Sequence, residues 1–328
     1  KEAAMKEIDR REFMKKLAFG GAILGVADVL LHKPPKAIAS TGQVEVLWLG
    51  HSTTRITSVA GKVIVIDPFL VKNPTTPEKY RDLKALGKVD LILITHGHLD
   101  HILGLPFFAP IYFPGTRLKI YGPITGEDVP LKEVIGGQMS YRYFPVRQQE
   151  LAAHIDYINL AEGCFDLGDD IRLTTKYLNH PLLCLGLRFE YDGQVCCTAY
   201  DTEPFQNLFV TDLHDPAFDA LMAHQGEAAA REENKRLAEF FAGADLLIHD
   251  AQYTQKEYTA SRKGWGHSPM ESVINAARRS DVRTLALFHH DPMRTDAQLD
   301  ELTELLCDPR RTGDTDVFFA REGMRVKI

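Results

Sequence analysis

Residues 95–101 read Thr95-His96-Gly97-His98-Leu99-Asp100-His101, directly after the apolar run Leu91-Ile92-Leu93-Ile94. That run has the length and composition of a buried strand, so it delivers the histidines to the point where the chain leaves a sheet. His96 and His98 are one residue apart, and their imidazoles can converge as the strand turns outward; Asp100 and His101 follow in the next turn. Four ligand-type side chains in six residues are costly to bury unless something offsets their polarity. A divalent cation does so. Imidazole nitrogen and carboxylate oxygen suit Zn2+, with Mn2+ or Fe2+ as alternatives.

The rest of the composition fits a folded protein with a large core: 328 residues, 45% hydrophobic and 25% charged. The thirteen histidines cluster beside Asp, Gly or another His at the ends of apolar runs. Five cysteines, at 164, 184, 196, 197 and 307, show neither a paired framework nor a Cys-x-x-Cys spacing, which argues against a disulfide scaffold. Net charge is -7, and the first 39 residues carry an excess of Lys and Arg, so the remainder is more acidic still. Such a body is a poor partner for long nucleic acids, whose phosphates are bound by clustered Lys and Arg.

Working outward, short β-like runs alternate with helix-like stretches. Strands are expected over 43–49, 54–58 and 62–66, then over 171–177, 186–191 and 194–199, where Asp192-Gly193 makes a hairpin turn. A helix is expected over 227–242 before a strand at 246–248, and another over 269–280 with Ser268 as its N-cap. A strand at 284–288, a helix at 296–306 and a closing hairpin over 317–326 complete the pattern. Strands followed by helices in each half predict an α/β fold of two sheets packed face to face with helices outside. The Pro-, Gly- and aromatic-rich segment 105–160 fits this layout least and is a candidate lid over a site.

Through these residues the chain resembles the metallo-β-lactamase superfamily, whose His-x-His-x-Asp-His motif is matched in full at 96–101. The resemblance covers essentially all of residues 43–328 and implies a four-layer αββα sandwich of two mixed sheets. It also implies the remaining ligands: His180 in Asn179-His180-Pro181, Asp201 in Tyr200-Asp201-Thr202, and His289 in Phe288-His289-His290-Asp291. By this carry-over His96, His98 and His180 hold one metal ion, Asp100, His101 and His289 the other, and Asp201 bridges. His290 is the rival to His289.

Two further segments, Ile248-His249-Asp250-Ala251 and Gly266-His267-Ser268, resemble the His-Glu-Ala-Thr and Gly-His-Ser-Thr segments of ribonuclease Z and related phosphodiesterases. That implies an acid, Asp250, orienting a histidine, His267, which protonates the leaving oxygen while a hydroxide generated on the metals, near Asp100, attacks. Asp250 is one methylene shorter than the family's Glu; its other reading is a capping or core role. Leu49-Gly50-His51-Ser52 and Ile66-Asp67-Pro68-Phe69 resemble a lactonase branch. Asp67 there is expected behind a ligand as an acceptor, while His51 either faces the site or packs under it.

The resemblance therefore implies a dinuclear hydrolase of small phosphodiesters, with lactone, thioester or β-lactam hydrolysis as the alternative. A transfer-RNA enzyme needs a basic surface, and residues 202–226 hold no Lys or Arg. An oxygen or nitric-oxide reductase on this fold places Glu where His98 stands and carries a flavin domain; a metal-binding protein without catalysis is a third class. At the N-terminus, Arg10-Arg11-Glu12-Phe13 precedes a weakly apolar run to Leu31 and the small-x-small stretch Ala37-Ile38-Ala39. This resembles a twin-arginine export signal over 1–39, making the export machinery a partner, the periplasm the expected location and 40–328 the catalytic domain. An amphipathic helix packed on the body is the other reading of 1–39.

Overall fold

The computed structural model describes residues 42–124 and 129–328, so the leader read at 1–39 lies outside the described residues. The chain divides into two compact units: one runs to Asn159 and takes back Glu322–Lys327, and the other is Leu160–Arg321. Each carries one seven-stranded mixed sheet and a core of its own.

In the first unit, β1 (Glu45–Gly50), β2 (Thr53–Thr57) and β3 (Val63–Ile66) form an antiparallel meander. β4 (Leu91–Leu93) and β5 (Arg117–Pro123) then add in parallel, and β6 (His154–Leu160) closes that edge. A strand buried on both faces needs no polar alternation, which is why Leu91-Ile92-Leu93 reads as a continuous apolar run. Helix α1 (Leu99–Ile102) is a single turn after the histidines, and α2 (Leu131–Gln138) buries Leu131 and Ile135. Residues 105–160, the candidate lid, supply β5, α2 and β6, and Ile111, Leu118, Ile120 and Phe144 from this stretch join the unit's core.

Gly104 follows α1 where the chain passes over the Asp67-Pro68-Phe69 turn. A Cβ at 104 would stand 1.9 Å from the Pro68 carbonyl oxygen and 2.4 Å from Phe69 Cα, both backbone atoms that cannot swing aside. Gly104→Ala is therefore expected to cost about 2–4 kcal/mol; an unfolding midpoint in urea equal to that of the wild type would refute this close approach.

In the second unit, β7 (Gly163–Asp166), β8 (Arg172–Leu178), β9 (Cys184–Tyr191) and β10 (Gln194–Ala199) are antiparallel neighbours. β11 (Leu246–Asp250), β12 (Thr284–Phe288) and β13 (Asp316–Phe319) then run parallel beside β10. Helix α3 (Ala220–Phe241) starts seven residues before the expected helix. Its first turn is set by the Asp219 carboxylate, which accepts from the backbone N–H groups of Leu221 and Met222; the exposed Leu221 and Met222 form no apolar stripe from which periodicity could place it. Helix α4 (Met270–Arg279) buries Met270, Val273, Ile274 and Ala277, the i, i+3, i+4, i+7 face. Its N-cap is Pro269, not Ser268, whose hydroxyl instead donates to the Thr202 carbonyl at 2.7 Å. Helix α5 (Asp296–Leu306) begins on a capping box of Thr295 and Gln298.

The expected closing hairpin is not formed. β13 pairs with β12, whereas β14 (Arg325–Lys327) pairs antiparallel with β1 in the other sheet. Alternating apolar residues mark two strands but do not specify their neighbours.

Candidate metal centre

In both sheets several candidate residues stand at the carboxyl ends of parallel strands, where α/β folds place their sites. Asp67 follows β3, 95–101 follow β4, Asp201 follows β10, Asp250 ends β11, and His289 follows β12. His51, Asp67 and His289 each take a left-handed backbone, with φ of 50°, 47° and 56°. That conformation is uncommon outside glycine but tolerated by Asp and His, and it tends to be kept where a side chain is needed in place.

In the first unit His96, His98, Asp100 and His101 form one cluster. The His96 and His101 rings meet tilted at 51° with centres 4.1 Å apart, His96 Nε2 lies 3.0 Å from His98 Nδ1, and His101 Nε2 lies 3.6 Å from the Asp100 carboxylate. Behind them, Asp67 is fully buried: one carboxylate oxygen accepts from the Thr95 N–H at 2.8 Å, the other from the Thr95 hydroxyl at 2.6 Å and from His101 Nδ1 at 2.7 Å. Burial pushes the Asp67 carboxyl above the usual range, opposed by the attraction of His101 and these hydrogen bonds. A carboxylate taking the Nδ1 proton leaves the Nε2 lone pair of His101 available for a cation, the arrangement that outer partners give metal-binding histidines. His51 faces this cluster, with Nε2 3.3 Å from Asp100.

In the second unit His180, Asp201 and His267 bring ligand atoms within 4.8 Å of one another, and so do Asp250, His267 and His289. His180 Nδ1 donates to the Gly266 carbonyl at 3.0 Å, which again leaves Nε2 as the lone-pair nitrogen. Gly266 has φ of +83°, and a Cβ there would meet His180 Nδ1 at 2.3 Å, so no side chain fits beneath that imidazole. Asp201 lies 3.9 Å from His180 Nε2 through one oxygen and 3.6 Å from His289 Nε2 through the other. His290 turns away: its Nε2 donates to the Ala320 carbonyl at 2.9 Å and its ring packs on Phe319. Within each unit the set consists of imidazoles and carboxylates, which is the donor chemistry of a Zn2+-type cation.

His267 stacks on His289, ring centres 4.9 Å apart, and its Nδ1 meets the Asp250 carboxylate at 2.8 Å. The one-methylene shortening therefore does not break this pair, because Asp250 ends its strand within reach. Asp250 also accepts from the Thr202 and Gln252 N–H groups at 3.2 and 3.1 Å. Burial pushes the Asp250 carboxyl up to about 7, against the pull of His267. A carboxyl raised on folding contributes stability that is complete below its unfolded pKa, near 4, and lost as pH rises through 7. Relative to wild type, metal-free Asp250→Asn is expected to gain about 2 kcal/mol on going from pH 5 to pH 8; an equal stability difference at both pH values, measured by urea unfolding, would remove Asp250 as the cause.

Sequence reasoning did not single out Thr95 as the donor to Asp67, the Gly266 carbonyl under His180, or Gln252, whose amide lies 3.1 Å from His289 Nδ1. Thr95 alone carried a signal, as the residue between the strand and His96; the other two come from loops whose paths periodicity does not describe.

A beta-lactamase superfamily domain model matches residues 62–290. Among curated proteins, a UPF0173 metal-dependent hydrolase of Polaromonas sp. is 54% identical over 88 residues, 25% of this chain and 32% of that one. A ribonuclease Z of Lactococcus lactis is 28% identical over 232 residues, 62% of this chain and 71% of that one. The chain thus spans about a third of the first curated relative it matches. A metallo-beta-lactamase fold protein of Bacillus subtilis, YhfI, superposes with a TM-score of 0.57 over 86% of this chain and 99% of that one at 16% identity, a likeness of fold. Two mixed sheets with flanking helices, matched in that neighbour and by a family model running from β3 to the histidine pair after β12, make the chain a member of the metallo-β-lactamase superfamily.

Proposed function

We propose that the protein is a metal-dependent hydrolase of small phosphodiesters. By the family resemblance its metal ions, two divalent cations and in the first instance Zn2+, would be held by His96, His98 and His180 and by Asp100, His101 and His289, with Asp201 as a further ligand. Such ions lower the pKa of water to near neutrality and neutralise charge on phosphoryl oxygens. Asp100, which lies beside both His101 and His51, would orient the attacking water. His267 supplies the proton that a departing alkoxide needs, and Asp250, hydrogen-bonded to its Nδ1, holds the ring so that Nε2 faces the substrate.

The observation that carries this reading is the buried Asp250–His267 pair set among His180, Asp201 and His289. A thioester, whose thiolate departs without a proton, has no need of such an acid, whereas an alkyl phosphodiester does. The likeness to a ribonuclease Z over 232 residues supports phosphodiester chemistry, while the absence of Lys and Arg from 202–226 favours a small substrate over RNA. The leader-like 1–39 makes the periplasm the compartment we propose. The test is metal analysis of the purified chain together with turnover of bis(4-nitrophenyl) phosphate, a lactone, a thioester, a β-lactam and a precursor transfer RNA. Two equivalents of metal and preference for the diester are expected. Preference for any of the other substrates, or a metal-free active protein, overturns the reading.

A further inference from the structure

Behind the Asp250–His267 pair, within the second unit, a half-open cavity of about 270 Å3 lies between α3, α4 and the end of β11. Its volume is just below the range of drug-sized pockets, which run from roughly 300 Å3 upward, so it suits only a small ligand. Leu237 and Phe241 from α3 and Val273 and Ala276 from α4 give it apolar walls. At its inner wall is His249, 4% exposed, whose ring also packs edge-on against Phe241. His249 Nδ1 donates to the Asp250 carbonyl at 2.7 Å, so Nε2 carries the lone pair. Among the described residues nothing hydrogen-bonds that nitrogen. Burial lowers the His249 pKa to about 4, so the ring is neutral and an acceptor at any ordinary pH.

The neighbouring polar groups do not satisfy it. The Ser268 hydroxyl donates to the Thr202 carbonyl, the Thr202 hydroxyl to the Glu203 carbonyl and the Ser272 hydroxyl to Gln255. His249 Nε2 therefore opens on the cavity as an acceptor that a ligand donor can meet. At the rim stands Arg279, in the last turn of α4, exposed and with no carboxylate partner among the described residues. An acceptor inside, an apolar waist and a guanidinium at the mouth define a ligand by its chemistry.

We propose that this cavity is a second binding site, distinct from the metal centre, for a small carboxylic acid with an aromatic or branched apolar body and a hydroxyl or N–H group. The hydroxyl or N–H donates to His249 Nε2, the body lies between Phe241 and Val273, and the carboxylate pairs with Arg279. Thr202 and Ser268, which line the cavity, are the chain neighbours of Asp201 and His267, so the ligand sits against the loops that carry those side chains.

The probe is 4-hydroxyphenylacetate, titrated calorimetrically into the purified full chain, with phenylacetate and 4-hydroxyphenylethanol as the analogues lacking the hydroxyl and the carboxylate. Saturable binding with a Kd below about 1 mM is expected, weakened roughly tenfold for each analogue. Arg279→Ala, an exposed change, is expected to weaken the probe to the level of 4-hydroxyphenylethanol, and Ala276→Phe, which fills the waist, to abolish binding. Treatment with a chelator should leave binding unchanged whatever the fate of the hydrolase reading. Any of three results overturns the proposal: no saturation up to about 10 mM, a cavity holding water alone; unchanged affinity in both variants; or loss of binding on chelation, which places the carboxylate at the metal ions.

Discussion

His98→Ala is expected to lower turnover of the diester at least about a thousandfold, beyond the ~10- to 100-fold that partners behind a ligand command, while leaving the thermal stability of the metal-free protein unchanged within about 0.5 kcal/mol. The two readouts separate because His98 is exposed, unlike His96 and His101, which are fully buried. Its Nδ1 lies within hydrogen-bond distance of His96 Nε2, at 3.0 Å, which brings the two imidazoles of the motif together. Metal content measured by mass spectrometry should fall by one equivalent. Activity within threefold of wild type would remove His98 from the ligand set and with it the leading half of the motif. His51→Ala, in the same cluster but outside that set, serves as the control, with an expected loss well under tenfold. Asp67→Asn is intermediate: it keeps the shape but weakens the acceptor for His101 Nδ1, so metal affinity should drop about 10- to 100-fold.

His267→Ala is expected to split substrates by leaving group. A phenolate activated by nitro groups departs without a proton, whereas an alkoxide does not; general acid catalysis contributes typically 10²–10⁴-fold. Methyl 4-nitrophenyl phosphate cleaved at the phenol side should therefore lose little, while a dialkyl or nucleoside diester should lose about two to four orders of magnitude. The metal content should stay at two equivalents, because His267 is not among the ligands. An equal loss on both substrates would show that the ring acts by packing on His289, which it stacks at 4.9 Å, rather than by giving a proton. Asp250→Asn should reproduce the alkyl-selective loss in weaker form, since an amide oxygen still accepts from Nδ1 but no longer stabilises the imidazolium.

Local patterns were sufficient where one residue type has one common physical use. The run Leu91-Ile92-Leu93 has no polar alternation because both faces are buried, and Met270, Val273, Ile274 and Ala277 repeat at helical spacing because one face is covered. Asp67 was readable as an acceptor behind a ligand because an Asp at a strand end beside a histidine motif has few other roles. The same logic failed for Ser268, which resembles an N-cap but donates to Thr202, and for the last two strands, which alternate like a hairpin but belong to different sheets. In each failure the competing partner comes from a distant part of the chain, and a one-dimensional pattern carries no information about such partners.

From the order of residues alone came the candidate ligand residues, the strand that presents the first of them, the two-sheet α/β class and the family. Only the folded chain distinguishes His289 from His290, through the Ala320 carbonyl that takes the second ring; assigns tautomers to His101 and His180, through Asp67 and the Gly266 carbonyl; and sets Asp250 against His267. The division has a physical cause. Metal preference and hydrophobic periodicity are properties of side chains and of neighbours in sequence, whereas hydrogen-bond partnership depends on backbone carbonyls and carboxylates that tertiary packing brings within 3 Å of each ring.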